Sequence, residues 1–310
     1  MEGNHALFVG LTTLDCLYQA AHPPAADEKV VANKSLLVSG GPATNAAVAF
    51  AQIGGRDSKT SQPRNQATLI SAVGTHPITS LLREDLHTYG VALSDLTPKS
   101  QTPPPVSSIV VSADTGERAV VASNAVDRQV VASEMPESTL SADTLQGVSV
   151  VLIDGHQMSV GAQVAQWAKE KSVPIIIDAG SWKPGFETVL AQADVVVASA
   201  NFFPPECRTT NEVFSYLEGL GVAQMAITRG GQPILYRENG TAGETEVPSI
   251  RAVDTLGAGD IFHGAFCHFY LRHTFEEALL KASRSASFAC QYWGTRDWTK
   301  IYKMTDDDEA

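Results

Sequence analysis

Short apolar runs alternating with helical patterns constrain this chain more than any other feature. The runs are "ALFVGL" (6–11), "ATLISAVG" (67–74), "VSVVLIDG" (148–155), "VPIIIDAG" (173–180), "DVVVASA" (194–200) and "MAITRGG" (225–231). Several read as parallel strands buried on both faces. Helical patterns fall at 45–55, closed by a glycine pair, and at 79–90, 164–171 and 212–221. The alternation predicts an α/β fold, a Rossmann-like doubly wound sheet. A last helix is expected from "TFEE", where Thr274 and Glu277 have capping-box spacing. It continues through Ala282, Ser283, Ala286 and Ala289, a face small enough for a flat ligand or for close helix packing.

Two regions break the rhythm. Residues 16–38 are strand-like and interrupted by proline, and 107–123 alternates about "ADTG" like a β-hairpin. Together they are expected to form a small separate sheet. The polar stretch 56–66 reads as a surface loop, and 303–310 as a solvated acidic tail.

The stretch "DTLGAGD" (254–260) carries the chemistry. The apolar positions Ile261, Phe262, Ala265, Phe266 and Phe269 make an amphipathic stripe, so a helix is expected to begin near Ala258. Its first turn leaves N–H groups without partners at the positive end of the helix dipole. Gly257, Ala258 and Gly259 would then form an anion nest, with Asp260 beside it in ionised form. An acid next to an anion site suits transfer of a hydroxyl proton while a phosphoryl group arrives. The plainer alternative is a turn followed by an acid that complements the dipole.

Polar residues gather where strands end, the side on which open α/β sheets bind ligands. Asp15 follows the first strand; Gly40 and Gly41 end "LLVSGG"; Asp154, Asp178 and Asn201 close later strands; Thr228 and Gly230 lie in "AITRGG". Each alone could be a cap or a turn.

The net charge of -12 argues against nucleic acid as a partner, since that affinity rests on clustered Lys and Arg. No stretch reaches the ~18 apolar residues of a membrane span, and no leader pattern is read at the start. Cys16, Cys207, Cys267 and Cys290 are scattered, so free thiols in a reducing, cytoplasmic setting are expected. With 310 residues, one large α/β domain with an appendage fits as well as two domains. His22, His87, His156, His263, His268 and His273 show no metal-ligand spacing; His156, near Asp154, is the one placed to touch a ligand.

"GGPATNAA" (40–47) together with "DTLGAGD" resembles the two signature regions of the ribokinase and phosphofructokinase-B family of carbohydrate kinases, from about Leu7 to about Gly294. The resemblance implies a single ribokinase-like kinase domain over 1–310, with 16–38 and 107–123 as a β-sheet lid and as the site of a homodimer contact. It implies transfer of the γ-phosphoryl group of ATP, with Mg2+, to a sugar hydroxyl. Asp260 then matches the general base and the backbone of Gly257, Ala258 and Gly259 the anion hole. Asp15, Gly40, Gly41, Asn45 and the lid residue Arg118 match acceptor-binding positions. Thr228, Gly230, Asn201 and Ala286 fall to the nucleotide, and Asp254 to the neighbourhood of a monovalent cation such as K+. "DTLGAGDIFHGAF" and "IDAGSW" are most similar to the ketohexokinase-like branch, which favours a ketose.

There are departures. Pro204 stands where the family's N-x-x-E glutamate would be, leaving Glu206 as a substitute; His76 and Pro77 replace an expected acid; Pro42 replaces a sugar-contacting Asn. A nucleoside kinase of the same family, or a sugar- or nucleotide-binding regulator without turnover, are the competing readings.

Overall fold

The computed structural model describes residues 3–56, 60, 63–116, 118–123, 125, 128–135, 137 and 139–303. The acidic tail, apart from Lys303, and residues 57–59 and 61–62 of the polar loop lie outside the described residues. In chain order the strands are β1 (His5–Val9), β2 (Thr13–Ala20), β3 (Lys34–Gly40), β4 (Gln66–Ser71), β5 (Val91–Asp95), β6 (Val106–Ser112), β7 (Arg118–Ala122), β8 (Val150–Ile153), β9 (Ile175–Ala179), β10 (Val195–Ser199), β11 (Gln224–Arg229), β12 (Gln232–Glu238) and β13 (Thr241–Thr245). The helices are α1 (Pro42–Ile53), α2 (Thr79–Thr88), α3 (Met158–Glu170), α4 (Phe186–Leu190), α5 (Thr210–Gly219), α6 (Ala258–Tyr270) and α7 (Phe275–Ala289).

Nine strands form the main sheet in the order β13-β12-β11-β10-β9-β8-β1-β4-β5. From β5 to β11 all neighbours are parallel; β12 and β13 add an antiparallel edge. Continuous apolar runs can be buried on both faces because helices cover both. In β1, Ala6 and Phe8 pack into the α1, α6 and α7 layer, whereas Leu7 and Val9 pack into the α3, α4 and α5 layer. Strands β8 and β10 alternate in the same way. The strand order reverses at β1, so the carboxyl ends of β1, β4 and β8 open the crevice in which such sheets bind ligands.

The small sheet is also as expected, in the order β3-β2-β6-β7. Strands β2 and β6 run parallel and the other two pairs antiparallel. Its inner face buries Leu17, Val38, Ile109 and Val111 against Trp293.

Several elements differ from expectation: β5 and α4, only five residues each, are absent from the runs and helical patterns given above. The third helical pattern is a turn and a half longer than read, because α3 begins at Met158, where the neutral first turn "MSVG" carries little apolar periodicity. The β12–β13 hairpin was not read as strands at all. It turns at Asn239 and Gly240, whose φ values of 49° and 82° are those of a two-residue hairpin loop.

Candidate active site

Helix α6 begins at Ala258, as its apolar stripe predicts, and Gly257 caps it with φ 69°. That left-handed conformation favours glycine and turns the following N–H groups out of the helix end. Asp260 lies in this first turn and is half-buried. Its carboxylate Oδ2 accepts a 2.8 Å hydrogen bond from Asn45 Nδ2 in α1. Burial pushes the Asp260 carboxyl above its ordinary value; the Asn45 bond, His263 and Arg118 oppose the rise, and Asp154 adds to it.

On the small-sheet side, Asp15 of β2 is 6% exposed and accepts a 2.7 Å bond from Thr13 Oγ1. Burial raises its pKa against the bonds from Thr13 and Ser107, and the nearby Asp260 charge works in the same direction as burial. Gly40 ends β3 opposite Thr13, and a Cβ there would collide with the Asp15 carboxylate. Gly41 precedes α1 as its N-cap, and Pro42 supplies the first helical residue, where a missing N–H costs nothing. Asp15, Gly40, Gly41, Asn45 and Asp260 therefore come together as the sequence predicts.

Arg296, which sequence reasoning did not single out, underlies this group. It is 3% exposed. Its Nη1 donates to Asn45 Oδ1 (3.0 Å), Thr295 Oγ1 (3.0 Å) and the Thr295 carbonyl (3.2 Å). Its Nη2 donates to the Ser39 carbonyl (2.6 Å), Ser39 Oγ (3.2 Å) and Asp85 Oδ2 (3.1 Å). Ser39 Oγ also donates to Asp85, and the guanidinium lies 5.3 Å from the Tyr89 ring centre. No local pattern announces Arg296, because its partner Asn45 is 251 positions away.

Behind the turn lie two more buried acids. Asp154 Oδ2 accepts from the N–H groups of Leu11 (2.9 Å) and Ala43 (3.0 Å), and Oδ1 from that of His156 (2.9 Å). It thus joins the ends of β1 and β8 to the start of α1. Burial works against its ionised form, but the His156 charge and hydrogen bonds with the Leu11 and His156 N–H bonds outweigh it, so its pKa is lowered. His156 Nδ1 is 3.2 Å from Asp154 Oδ1, an ion-pair distance when the imidazole is protonated. Asp178, at the end of β9, is pushed up to about 6 by burial, with His263 opposing and Asp260 and Asp154 assisting. His263, one turn into α6, is 4% exposed; its Nδ1 lies 2.7 Å from the Gly259 carbonyl and 3.4 Å from Asp178 Oδ2, its Nε2 3.1 Å from the Val197 carbonyl.

On the other side of the turn is a cavity of about 380 Å³. Thr228, Gly230, Phe262, Ser283, Ala286 and Cys290 line it, and it runs up to Ala258 and Gly259. Helix α7, capped by Thr274 and Glu277 as expected, contributes Ser283, Ala286 and Ser287 to its floor, whereas Ala282 and Ala289 of the expected small-residue face pack into the core. Asn201 is exposed beyond β10 and is not part of this wall. Glu206 is exposed in a left-handed turn (φ 69°) after β10 and does not line the cavity. Arg118 of β7 reaches across to Thr255 Oγ1 (3.1 Å), in the loop that enters α6. Asp254 in that loop is 3% exposed and accepts from the N–H groups of Leu256 (2.9 Å) and Gly294 (2.9 Å), which fixes the loop against the end of α7.

Residues 4–301 match the family described as pfkB family carbohydrate kinase. The chain belongs to the pfkB family of carbohydrate kinases. Like its family it is an ATP-dependent phosphotransferase with an alcohol group as acceptor. Among characterised relatives it is 25% identical over 298 residues to ribokinase of Bacillus subtilis (strain 168), covering 93% of each chain. The fold overlays on the crystal structure of a candidate ribokinase from Agrobacterium tumefaciens with a TM-score of 0.80 and 25% identity, covering 96% of this chain and 94% of that one. It also overlays on Arabidopsis thaliana ribokinase complexed with ribose and ATP, with a TM-score of 0.75 and 20% identity, covering 98% and 100%. The ribokinase-like fold thus follows from both sequence and structure.

Proposed function

We propose that this pfkB-family kinase phosphorylates a sugar, a ketose in first place, with Asp260 as general base. The observation that carries the reading is the position of Asp260. It stands on the first turn of α6, between the cavity that ends at Ala258 and Gly259 and the polar group of Asp15, Gly41 and Asn45. Thr228, Gly230 and Ala286 would receive the nucleotide, so that its γ-phosphate meets the N–H groups of the Gly257–Gly259 turn. Asp15, Gly40, Gly41 and Asn45 would hold the acceptor's vicinal hydroxyls through carboxylate and amide bonds. The acceptor oxygen bonds to the γ-phosphorus as the bond to the β,γ-bridging oxygen breaks; ADP leaves with that electron pair, and the hydroxyl proton passes to Asp260. The turn stabilises charge on the transferred group. Arg118, which donates to Thr255, would close over phosphate or sugar.

Among the described residues no three His, Cys, Asp or Glu side chains cluster to cage a metal. Mg2+ would arrive with the triphosphate. Bound there, the ion would neutralise phosphate charge. A monovalent cation would rest on the main-chain oxygens of the loop that Asp254 holds in shape.

The ketose preference rests on the likeness of "DTLGAGDIFHGAF" and "IDAGSW" to ketohexokinase-like members. A second copy would bind the outer face of the small sheet, where Tyr18, Leu37 and Val121 share one side and stay exposed. Free thiols, two of them buried, suit a cytoplasmic setting. One assay tests the acceptor: ADP release from ATP with ketoses, aldoses, sugar phosphates and nucleosides in parallel. Turnover with a ketose above all others supports the reading. Turnover with a nucleoside replaces the acceptor, and binding without turnover replaces the enzyme by a regulator.

A further inference from the structure

The Asn45 side chain bridges two groups that together leave it a single orientation. Arg296 Nη1 faces one end and the Asp260 carboxylate the other, at 3.0 and 2.8 Å. A guanidinium only donates and an ionised carboxylate only accepts. The amide oxygen must therefore face Arg296 and the amide NH2 must face Asp260. With Arg296 absent, the amide could rotate and set its oxygen against the carboxylate. The guanidinium is itself held from three parts of the fold: Ser39 of β3, Asp85 of α2, and Thr295 after α7.

We propose that Arg296 is a positioning residue for the catalytic base: through Asn45 it keeps a donor on Asp260 and so holds the carboxylate ionised and aimed. The inference rests on the reading of Asp260 as base. Lysine does not reproduce this arrangement, because an ammonium presents its three N–H groups from one atom, whereas the guanidinium serves Asn45 from Nη1 and Ser39 and Asp85 from Nη2. Arg296 touches neither the nucleotide cavity nor its lining, so it acts on the base and not on ATP.

Several charges face Asp260 and set its titration. They are Arg118 from β7, Asp15 from β2, Asp154 and Asp178 from the ends of β8 and β9, and His263 from its own helix. Each of these stays in place when Arg296 is changed. Arg296 also acts on Asp15 through its charge, which lysine retains, so a shift in the acid limb of Arg296→Lys reports the Asn45 donor.

The test is Arg296→Lys, purified and folded, assayed under saturating ATP across pH with the acceptor identified above. Loss of one hydrogen bond to a charged group corresponds to about 10- to 100-fold in turnover. The expected result is a kcat lower by that factor, an acid limb displaced to higher pH, and ATP binding by calorimetry unchanged. Asp85→Asn, which loosens the guanidinium from outside the site, should displace the limb in the same direction by less, and it decides the matter where Arg296→Lys does not fold. Wild-type limbs in the folded variants overturn the inference, as does a loss shared equally with ATP binding. Asp260→Asn separates the two levels. If it retains turnover, the base reading and this inference fall together; if it is inactive while Arg296→Lys and Asp85→Asn keep the wild-type profile, only the inference falls.

Discussion

Replacing Gly257 by alanine tests the anion-hole turn with the smallest possible change. Gly257 has φ 69°, and a left-handed residue other than glycine costs roughly 1–2 kcal/mol. The added methyl would lie 2.9 Å from Thr295 Cγ2, where ordinary contact begins at 3.4 Å, and 3.5 and 3.6 Å from Asn45 Nδ2 and Asp260 Oδ2. Something must give by about half an ångström. Thr295 is pinned by Arg296 and by Trp298 Nε1, which donates to its carbonyl at 3.1 Å, so the turn is the part that moves. A displacement of 1 Å in a reacting constellation can cost about 10²-fold, so half of that corresponds to about tenfold in kcat. Unfolding should occur about 1.5–3 °C lower. Thermal unfolding and single-turnover transfer at saturating ATP read the two effects separately. A variant destabilised as calculated but with wild-type transfer would show that the turn does not touch the transferred group. Unchanged stability would show that Gly257 tolerates a side chain, against the geometry.

Other consequences are open to measurement. Asp178 titrates at about 6 in the fold instead of 3.8, a bias of ~3 kcal/mol against its ionised form. A raised carboxyl contributes stability that is present below about pH 4 and lost as pH rises through about 6, so urea unfolding of wild type should lose ~3 kcal/mol relative to Asp178→Asn between about pH 4 and 7; parallel pH curves would refute it. Ala286→Phe fills the cavity beside Thr228 and Gly230, so the KM for ATP should rise by about tenfold or more while equilibrium binding of the acceptor is unchanged, and an unaltered KM would remove α7 from the nucleotide site. Potassium should raise activity above sodium or Tris at fixed magnesium; equal rates in all three would count against a cation at the loop that Asp254 holds.

Local signals carried far in this sequence. The apolar stripe from Ile261 placed the start of α6 at Ala258, and the Thr274–Glu277 capping box placed the start of α7, because both features are decided within one turn of chain. The interrupted strands at 16–38 and 107–123 were legible as a separate sheet for the same reason. The β12–β13 hairpin carried an equally local mark, Asn239-Gly240, and was passed over because its strands do not form the continuous apolar runs of the sheet centre. Asn201 was placed by analogy to a motif whose glutamate this chain lacks, and the structure leaves it outside the cavity. Arg296 could not be read at all. Its meaning lies in a contact with Asn45 across most of the chain, and a lone arginine in "GTRDW" has no pattern of its own. His263 was similarly hidden, since a histidine on an amphipathic helix looks the same whether it faces solvent or a buried aspartate.

The most direct test of the account is Asp260→Asn. Asparagine keeps the shape and a hydrogen-bonding side chain on the first turn of α6 but cannot take a proton. Loss of a general base typically costs about 10² to 10⁴ in rate, roughly 3 to 5 kcal/mol of barrier. In one preparation, nucleotide binding by calorimetry should stay close to wild type, while single-turnover phosphorylation of the identified acceptor falls by at least about two decades. Phosphorylation at near wild-type rate would make Asp260 no more than a partner of its helix dipole and would contradict the account of "DTLGAGD" as the catalytic element.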